Sequence, residues 1–328
     1  MSSVAFPVHL DVLRRVLRLR ALNSGPMIME RKKERHDPVM VEEILDTFQL
    51  APGAVVVDGT LGLGGHSQRF LEKIAPEGVL VGFDWDEAMM AIARDRLITL
   101  GNTQLILVNE DFRGIRETLV RLGLQANAIL LDLGLNSAQI EDQNRGLSFS
   151  KEGPLDMRMA RSQGEPASAV LNRLSPGAIE LILSEYGDER WARAIAKVIV
   201  ERRKSKPLRT TNDLVECVLA AIPKGAQDKR IHPATRTFQA VRIYVNRELD
   251  GLDEALQDAA LSLAHKGTLA VLSYHSGEDR IVKQTFRELA NEGFEELYRK
   301  PIQASEAEVA RNPRSRSAKL RAITRTAA

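Results

Sequence analysis

Short apolar runs alternate with amphipathic stretches along the chain from Asp37 onward. Four of these runs predict buried strands, at residues 54–57, 79–83, 105–108 and 128–131. Strands that alternate with helices are typical of βα units, which assemble into a mostly parallel sheet covered by helices. The pattern therefore predicts an α/β fold for this part of the chain.

The alternation stops at residue 141, and residues 141–240 have the pattern of loops and helices. Thr210 followed by Asp213 predicts the N-terminal cap of one of these helices, because each side chain can bond the other residue's backbone amide. A buried strand returns at residues 268–274. The simplest topology is a sheet that is interrupted after its fourth strand by a mainly helical insertion.

This topology divides the chain into an N-terminal extension at residues 1–35, a core at residues 36–140 and 241–328, and a helical insertion at residues 141–240. Open α/β sheets bind ligands at the carboxyl ends of their strands. An insertion after the fourth strand lies beside that crevice, so we expect it to face the substrate.

Residues 1–30 are rich in arginine, and Asp11 is the only acid before Glu30. An Arg-rich, acid-poor segment is typical of an organellar presequence, which would place the protein in an organelle matrix. The alternative is an upstream start codon, with Met27 or Met29 as the true beginning. We favour this alternative, which predicts a cytoplasmic bacterial protein.

The composition excludes several classes of protein. With 328 residues, of which 44% are hydrophobic and 27% charged, the chain can bury a sizeable core. Cys217 is the only cysteine, which excludes an intramolecular disulfide and a cysteine-based zinc site, and we expect no metal. No apolar run reaches the roughly 18 residues of a membrane span, so we expect no membrane partner.

Positive charge is clustered rather than abundant. The formal net charge is only +2, but RNA binding depends on where the charge lies rather than on its total. One basic run covers residues 202–209, and a second follows Arg311 without any acid. Such runs are more often solvated surface, so they permit an RNA partner without establishing one.

The strongest local signal is a strand that runs into a glycine-rich turn and a helix, at residues 55–66. Gly62, Gly64 and Gly65 allow the backbone to approach a ligand without an intervening Cβ. A dinucleotide site would have a third glycine at the position of Ser67, so an NAD-dependent dehydrogenase is the weaker alternative. A binding-only ribosome assembly factor would need no such turn.

Two acids and an aromatic residue favour S-adenosylmethionine as the ligand. Asp58 ends the first strand, where it would meet the ammonium of the cofactor's amino acid moiety. Asp84 lies 20 residues after Gly64, where a carboxylate can accept from both ribose hydroxyls. Phe112 follows the third strand and is a candidate to pack on the adenine. The alternative for both acids is a turn cap.

The sequence resembles the bacterial RsmH (MraW) family over residues 36–325. The motifs that carry the resemblance lie at residues 58–66, 131–134, 153–159, 186–189, 232–243, 275–280 and 312–321. The resemblance implies a Rossmann-like methyltransferase that transfers a methyl group from S-adenosylmethionine to the exocyclic N4 of a cytosine in the decoding region of small-subunit ribosomal RNA. Its partner would be that RNA or the assembled small subunit, and a homodimer is left open.

The resemblance also implies a set of cofactor-binding residues. They correspond to Gly64, Gly65, His66, Asp84, Phe112, Asp132 and Gln139. This sequence departs from the family at four positions. Asn136 replaces Ser, Ala138 replaces Pro, Tyr274 replaces Phe and Gly277 replaces Leu. The Asn136 and Gly277 changes lie near the expected mouth of the active site, so they concern the exact target base more than the reaction.

Methyl transfer to cytosine N4 requires an acceptor for the amino hydrogen, because the N4 lone pair is delocalised into the ring. Asp132, at the end of the fourth strand, and Asn136 are the candidates for that contact. The alternative for Asn136 is a local backbone bond in a turn. We assign His66 to the cofactor and His275 to the target pocket as a third catalytic candidate, with a structural role open for either.

Two predicted helices carry further signals, a polar stripe on one and an N-terminal cap on the other. Gln239, Arg242 and Asn246 fall on one stripe of a helix, which is either part of the site or its solvated face. Ser276, with Asp279 three residues later, predicts the cap of the helix that follows the last buried strand.

Overall fold

The computed structural model describes residues 38–98, 103–161, 164–227 and 231–326. Its strands are β1 (Val55–Asp58), β2 (Val79–Phe83), β3 (Gln104–Val108), β4 (Ala126–Asp132), β5 (Leu263–Ser273), β6 (Phe294–Glu296), β7 (Ile302–Gln303) and β8 (Lys319–Arg325). The four strands predicted before the insertion are confirmed, with ends shifted by one or two residues. The two interpretations of the N-terminal Arg-rich segment lie outside the described residues.

The helices alternate with β1 to β4 and then fill the insertion. They are α1 (Val41–Phe48), α2 (Gly65–Ile74), α3 (Glu87–Leu97), α4 (Ile115–Leu122), α5 (Ser137–Glu141), α6 (Ala167–Arg173), α7 (Pro176–Gly187), α8 (Ala192–Ser205), α9 (Thr211–Ala221), α10 (Ala234–Asn246), α11 (Leu252–Leu261), α12 (Ser276–Leu289) and α13 (Glu306–Arg311). In the described part of the chain, none of them has the length and apolarity that a membrane crossing requires.

The strands form one sheet in the order β3-β2-β1-β4-β5-β8-β6, with β7 also paired to β8. Strands β1 to β5 are parallel, and β8 runs antiparallel to β5. The strand order reverses between β1 and β4, where Asp58 and Asp132 end their strands. Ligands of open α/β sheets bind at such a reversal. The predicted α/β class with a Rossmann-like parallel sheet is therefore confirmed, and its crevice is located.

The two faces of the sheet are covered by different helices. One face packs against α1, α2 and α3 around Phe70, and the other packs against α4, α11 and α12 around Phe286. Both rings are fully buried. The sheet thus forms the middle layer of three, and its carboxyl edge is held rigidly from both sides.

Helices α6 to α10 form a second apolar core of their own, placed in the chain between β4 and β5. Phe238 and Val241 of α10 both belong to this core. The predicted boundary after residue 240 therefore falls inside α10, and the chain returns to the sheet through α11. Periodicity alone could not place the boundary correctly, because α10 continues past residue 240 without a break.

The last basic segment is part of the sheet rather than a surface tail. Strand β8 lies between β5 and β6, and its Leu320 and Ile323 are fully buried. The Nε of Arg321 donates to Asp279 at 2.7 Å, and the Nζ of Lys319 donates to the same carboxylate at 2.8 Å. Part of the charge that follows Arg311 is therefore neutralised within the fold.

The basic run at residues 202–209 also serves the fold. Arg202 lies 3.0 Å from Asp213 and 2.6 Å from Glu216, and Lys206 lies 3.1 Å from Asp213. Asp213 is in addition the N3 residue of the predicted capping box with Thr210, which is confirmed. Burial alone would raise the pKa of Asp213, but hydrogen bonds from backbone amides and these cations hold it well below its usual range.

Replacing Asp213 by Ala should lower the free energy of unfolding by roughly 1–2 kcal/mol, because it removes a helix cap, whereas Arg202 keeps its second partner Glu216. The pKa is lower in the folded state, so this stabilisation is present above the unfolded pKa of about 3.9 and is lost as the pH falls below it. Urea unfolding measures both effects. The control is Asp253→Ala, at an exposed acid in the first turn of α11. Equal stability of the two variants would contradict the assignment.

Candidate active site

The glycine-rich turn after β1 is tied to the end of β2. Gly64 caps α2 in the left-handed conformation with φ +74°, which favours glycine. The amide of Leu61 donates to the carbonyl of Phe83 at 2.8 Å, and the amide of Gly62 donates to the Asp84 carboxylate at 2.8 Å. The turn and the acid after β2 therefore form one unit.

Asp58 lies beneath this turn. Its carboxylate accepts from the Oγ of Ser67 at 2.6 Å and from the amide of Thr60 at 3.2 Å, and the residue is only 1% exposed. Burial raises the pKa of Asp58, and the hydrogen bond from Ser67 partly offsets this. The predicted contact of Asp58 with a ligand ammonium is revised accordingly, because its oxygens already stabilise the turn from within.

Asp84 lines a cavity at the carboxyl edge of the sheet. Its second carboxylate oxygen accepts from the amide of Asp86 at 2.8 Å. Burial raises the pKa of Asp84 to about 6, although its two backbone hydrogen bonds lower it. Each oxygen keeps a lone pair, so the group can still accept from a pair of ligand hydroxyls.

The first cavity contains about 860 Å³ of atom-free space, part of which is open to solvent. Asp84, Phe112, Asp132 and Gln139 line it together, although they come from four different parts of the sequence. Phe112 is held by the guanidinium of Arg113, which lies 5.0 Å from the centre of its ring. An aromatic wall and a buried acid therefore lie in one cavity.

A second cavity of about 1090 Å³ adjoins the first. His66, Gly65 and Tyr274 lie on its wall. Gly64 lies one residue away, in the turn itself. The two cavities share the residues Thr60, Gly62, Asp132, Gly134, Leu135 and Asn136. The two spaces therefore meet along the carboxyl ends of β1 and β4.

Asp132 is the acid at this junction. The phenol of Tyr274 donates to its Oδ1 at 2.8 Å, and the Nε2 of His66 lies 3.6 Å from its Oδ2. Burial, with the nearby Asp132 charge, raises the pKa of Tyr274 well above its ordinary value, so the phenol stays a donor. His66 is 7% exposed, and neither ring nitrogen has a hydrogen-bond partner among the described residues.

Asn136 caps α5. Its side-chain oxygen accepts from the amide of Gln139 at 2.9 Å, and the side chain of Gln139 accepts from the amide of Asn136 at 3.3 Å. The oxygen keeps a second lone pair, as the Asp84 oxygens do, so the cap leaves it able to accept an amino hydrogen. The structure contains the alternative local backbone bond, and the role of Asn136 toward the base stays a prediction.

His275 caps α12, one residue before the predicted Ser276. Its Nδ1 accepts from the amide of Glu278 at 3.3 Å, and its Nε2 lies 3.1 Å from the Glu278 carboxylate. Glu278 lines the first cavity, whereas His275 lines neither the first nor the second. The prediction that His275 forms the target pocket is corrected: its imidazole caps α12, and Glu278 rather than His275 lines the cavity.

Comparison with known proteins settles the family. Residues 33–326 match the MraW methylase family. The chain belongs to this family. A curated relative from Citrifermentans bemidjiense, named ribosomal RNA small subunit methyltransferase H, is 44% identical over 305 residues, which cover 88% of this chain and 97% of the relative. A relative of the same name from Syntrophotalea carbinolica is 45% identical over 314 residues, 90% of this chain and 100% of the relative.

Solved structures show more distant likeness. An rRNA methylase from Streptococcus thermophilus has a TM-score of 0.38 at 11% identity and covers 92% of this chain and 100% of its own. TrmN from Thermus thermophilus has a TM-score of 0.39 at 10% identity and covers 87% of this chain and 48% of its own. The resemblance to the MraW family that the motifs indicated is confirmed by the sequence relatives alone.

In this MraW-family chain, the helix stripe of α10 is not a solvated face. Arg242 forms a buried two-point ion pair with Glu248, at 2.9 and 2.8 Å, and Glu248 lines the first cavity. Asn246 is 9% exposed and accepts from the amide of Met159, another lining residue, at 2.7 Å. Gln239 bonds the carbonyl of Tyr186 at 3.4 Å. Sequence reasoning missed Glu248, because it lies in none of the recognised motifs.

Proposed function

We propose that this chain transfers the methyl group of S-adenosylmethionine to the exocyclic N4 of a cytosine in the decoding region of small-subunit ribosomal RNA. Two curated relatives that are 44% and 45% identical are named as small-subunit ribosomal RNA methyltransferases. The observation that carries the proposal is the junction of two cavities at Asp132. A donor that spans the two cavities would bring its methyl group to that carboxylate, where a base held by Asp132 would receive it.

The described residues fit the proposed cofactor. Asp84 would accept from the ribose hydroxyls, Phe112 would pack on the adenine, and Gln139 would complete that end of the first cavity. Gly64, Gly65 and the unpartnered nitrogens of His66 would receive the amino acid moiety. When bound there, the cofactor supplies an electrophilic methyl group on sulfur. Because the turn and Asp84 are already fixed to each other, little reorganisation is needed on binding.

Asp132 is proposed to hold the acceptor base. Tyr274 occupies its Oδ1, which leaves Oδ2 to accept a hydrogen from the cytosine amine. This contact increases electron density on N4 and aligns it for attack, and alignment supplies much of the rate of such a transfer. After the methyl group has bonded to N4, the surplus proton passes to Oδ2, and His66 at 3.6 Å is placed to receive it.

The target cytosine has to be unpaired or extruded, because a paired base keeps its N4 engaged. We assign recognition of the surrounding RNA to the helical insertion, since it follows β4 in the chain and α10 brings Glu248 and Met159 to the first cavity. The substrate would be free RNA or the assembled small subunit, and the reaction would take place in the cytoplasm. The chain would act as a monomer or a homodimer.

Cofactor affinity should fall as the pH is lowered through about 6, the pKa of Asp84, because a protonated carboxyl cannot accept from both ribose hydroxyls. Calorimetric titration with S-adenosylmethionine across that pH range measures the effect. The control is Asp84→Asn, which should bind more weakly by about 1.5–3 kcal/mol and lose this pH dependence. A wild-type dissociation constant that is flat across the range would exclude Asp84 from the site.

The proposed function is tested by incubating the protein with radiolabelled S-adenosylmethionine and small subunits, or their free RNA, from cells that lack the gene. Label should enter the small-subunit RNA and be recovered as a methylated cytidine. A binding-only assembly factor would transfer no label. A dehydrogenase would bind NAD, so an excess of NAD that displaced S-adenosylmethionine would also count against the proposal.

A further inference from the structure

A third cavity lies in the helical insertion and shares no lining residue with the other two. It contains about 640 Å³ of atom-free space between the α7–α8 connection and the start of α10. Arg190, Trp191, Ile231, His232 and Arg236 are on its wall. Two of the family motifs border it: residues 186–189, and the start of the motif at residues 232–243, whose end reaches the active site through Arg242.

Planar side chains form part of its wall. The guanidinium of Arg190 lies 5.7 Å from the centre of the Trp191 ring. The exposed ring of His232 packs on Phe149 with ring centres 4.7 Å apart, and its Nδ1 accepts from the amide of Ala234 at 3.2 Å. These rings are fixed by their neighbours before any ligand arrives. Fixed aromatic and guanidinium planes are what unpaired bases stack on in RNA-binding proteins.

The cavity also carries positive charge that the fold does not neutralise. Arg190 donates to the carbonyl of Ala226 at 3.0 Å, and Arg236 donates to the carbonyl of Asp188 at 2.9 Å. Neither guanidinium has a carboxylate partner within 4.0 Å among the described residues, unlike Arg202. The acid on the wall, Glu189, is 6% exposed and accepts from the amide of Trp191 at 2.9 Å. Both arginines therefore keep donors for an anion.

The third cavity is attached to the helix that borders the active site. The carboxylate of Asp188 accepts from the Oγ of Ser276 at 2.8 Å, at the first residue of α12 and next to His275. A Cβ at Gly187 would lie 2.7 Å from the carbonyl oxygen of Arg236, so glycine permits the close approach of α7 and α10. A ligand in the third cavity would thus be held at a fixed position relative to the catalytic crevice.

We propose that the third cavity binds an unpaired nucleotide of the RNA substrate that flanks the target cytosine. The base stacks against the planes of Trp191 and His232, and the phosphate accepts from Arg190 and Arg236. This inference rests on the proposed function, because it takes the substrate to be RNA. Extrusion of the target base leaves its neighbours unstacked, and a second binding place for one of them offsets that loss.

The test replaces both arginines, Arg190→Gln with Arg236→Gln, and measures binding and methylation of the substrate RNA across a salt titration. The affinity for RNA should fall about 10-fold to 100-fold, and the salt slope should become shallower by about 0.7, the value for one phosphate contact to a single strand. Turnover at saturating RNA and the affinity for S-adenosylmethionine should not change. The matched control is Arg193→Gln with Lys197→Gln, which removes the same charge from exposed positions of α8.

Equal losses in the two double variants would overturn the proposal, because general charge rather than the cavity would then bind the RNA. If the wild-type protein neither bound nor methylated RNA, the proposed function itself would fail. If wild-type activity were normal and the cavity variant matched wild type, only this inference would fail.

A second readout does not depend on the arginine variants. The chain has two tryptophans, so Trp85→Phe leaves Trp191 as the single reporter. Its fluorescence should be quenched by a single-stranded oligoribonucleotide and not by S-adenosylmethionine. Quenching by an acidic peptide, with no response to the oligoribonucleotide, would identify the cavity as a protein-docking site and overturn the proposal.

Discussion

Replacement of Asp132 by Asn should lower the rate of methyl transfer by roughly 10²- to 10⁴-fold, the range that a positioned proton acceptor supplies. The variant side chain keeps the shape of the original and still accepts from Tyr274. It presents either an NH2 group or a neutral oxygen where the proposed mechanism requires a charged acceptor. Single-turnover kinetics at saturating cofactor and RNA measure the effect on the chemical step.

The control for Asp132 is Tyr274→Phe, which restores the residue that is usual in the family. It removes the hydrogen bond to Oδ1 but leaves Oδ2 available, so the expected loss is at most about tenfold, the value of one ordinary hydrogen bond. A folded Asp132→Asn protein with near-normal turnover would remove Asp132 from the chemistry. A loss in Tyr274→Phe as large as that in Asp132→Asn would assign the main role to the phenol instead.

Replacement of Arg242 by Met should lower the free energy of unfolding by about 3–5 kcal/mol, because it leaves the buried carboxylate of Glu248 without its partner. Burial already raises the pKa of Glu248, and Arg242 is the main group that opposes this rise. Nearby Glu278 adds repulsion. Without Arg242, Glu248 should therefore take up a proton on folding, and the variant should regain stability at lower pH.

The double variant Arg242→Met with Glu248→Gln removes both charges and should be more stable than the single variant. Urea unfolding at several pH values compares the three proteins. A single variant that is as stable as wild type would show that the pair contributes nothing to the fold. A double variant that is no better than the single one would show that the loss comes from packing rather than from an unpaired charge.

The proximity of the glycine-rich turn to Asp84 was predictable because its signal is local. A strand, a glycine-rich turn and a helix follow one another directly, so Gly64 and Gly65 are adjacent in sequence and in space. Asp84 was found by the fixed length of one βα unit, which brings it to the amide of Gly62. Where a short stretch of chain determines the geometry, the sequence pattern determines the site.

Asp58 and His275 have the right chemical type, but groups within the protein compete for their side chains. Asp58 accepts from the hydroxyl of Ser67 and the amide of Thr60, and His275 accepts from an amide at a helix start, as Asn136 also does. A polar residue after a strand looks the same in sequence whether it faces a ligand or satisfies an amide. Only burial and direction distinguish the two roles, and both depend on how distant elements pack.

The pairing of the basic segments could not be predicted from the sequence for a related reason. Arg321 is neutralised by Asp279, 42 residues away in the chain, and Arg314 by Glu141, 173 residues away. Such partners are brought together by the fold and leave no trace in local composition. The arginines of the third cavity, Arg190 and Arg236, belong to no basic run and have no carboxylate partner among the described residues.

The central claim concerns the bond that the enzyme forms, and isotope-edited NMR of the product nucleoside observes that bond directly. Small subunits labelled with a nitrogen isotope are methylated with a donor that carries a carbon isotope in its methyl group. The account predicts a methyl carbon coupled directly to the exocyclic nitrogen of a cytosine from the decoding region. A methyl carbon bonded to ring carbon C5 or to a ribose oxygen would contradict it, because Asp132 would then have no amino hydrogen to accept.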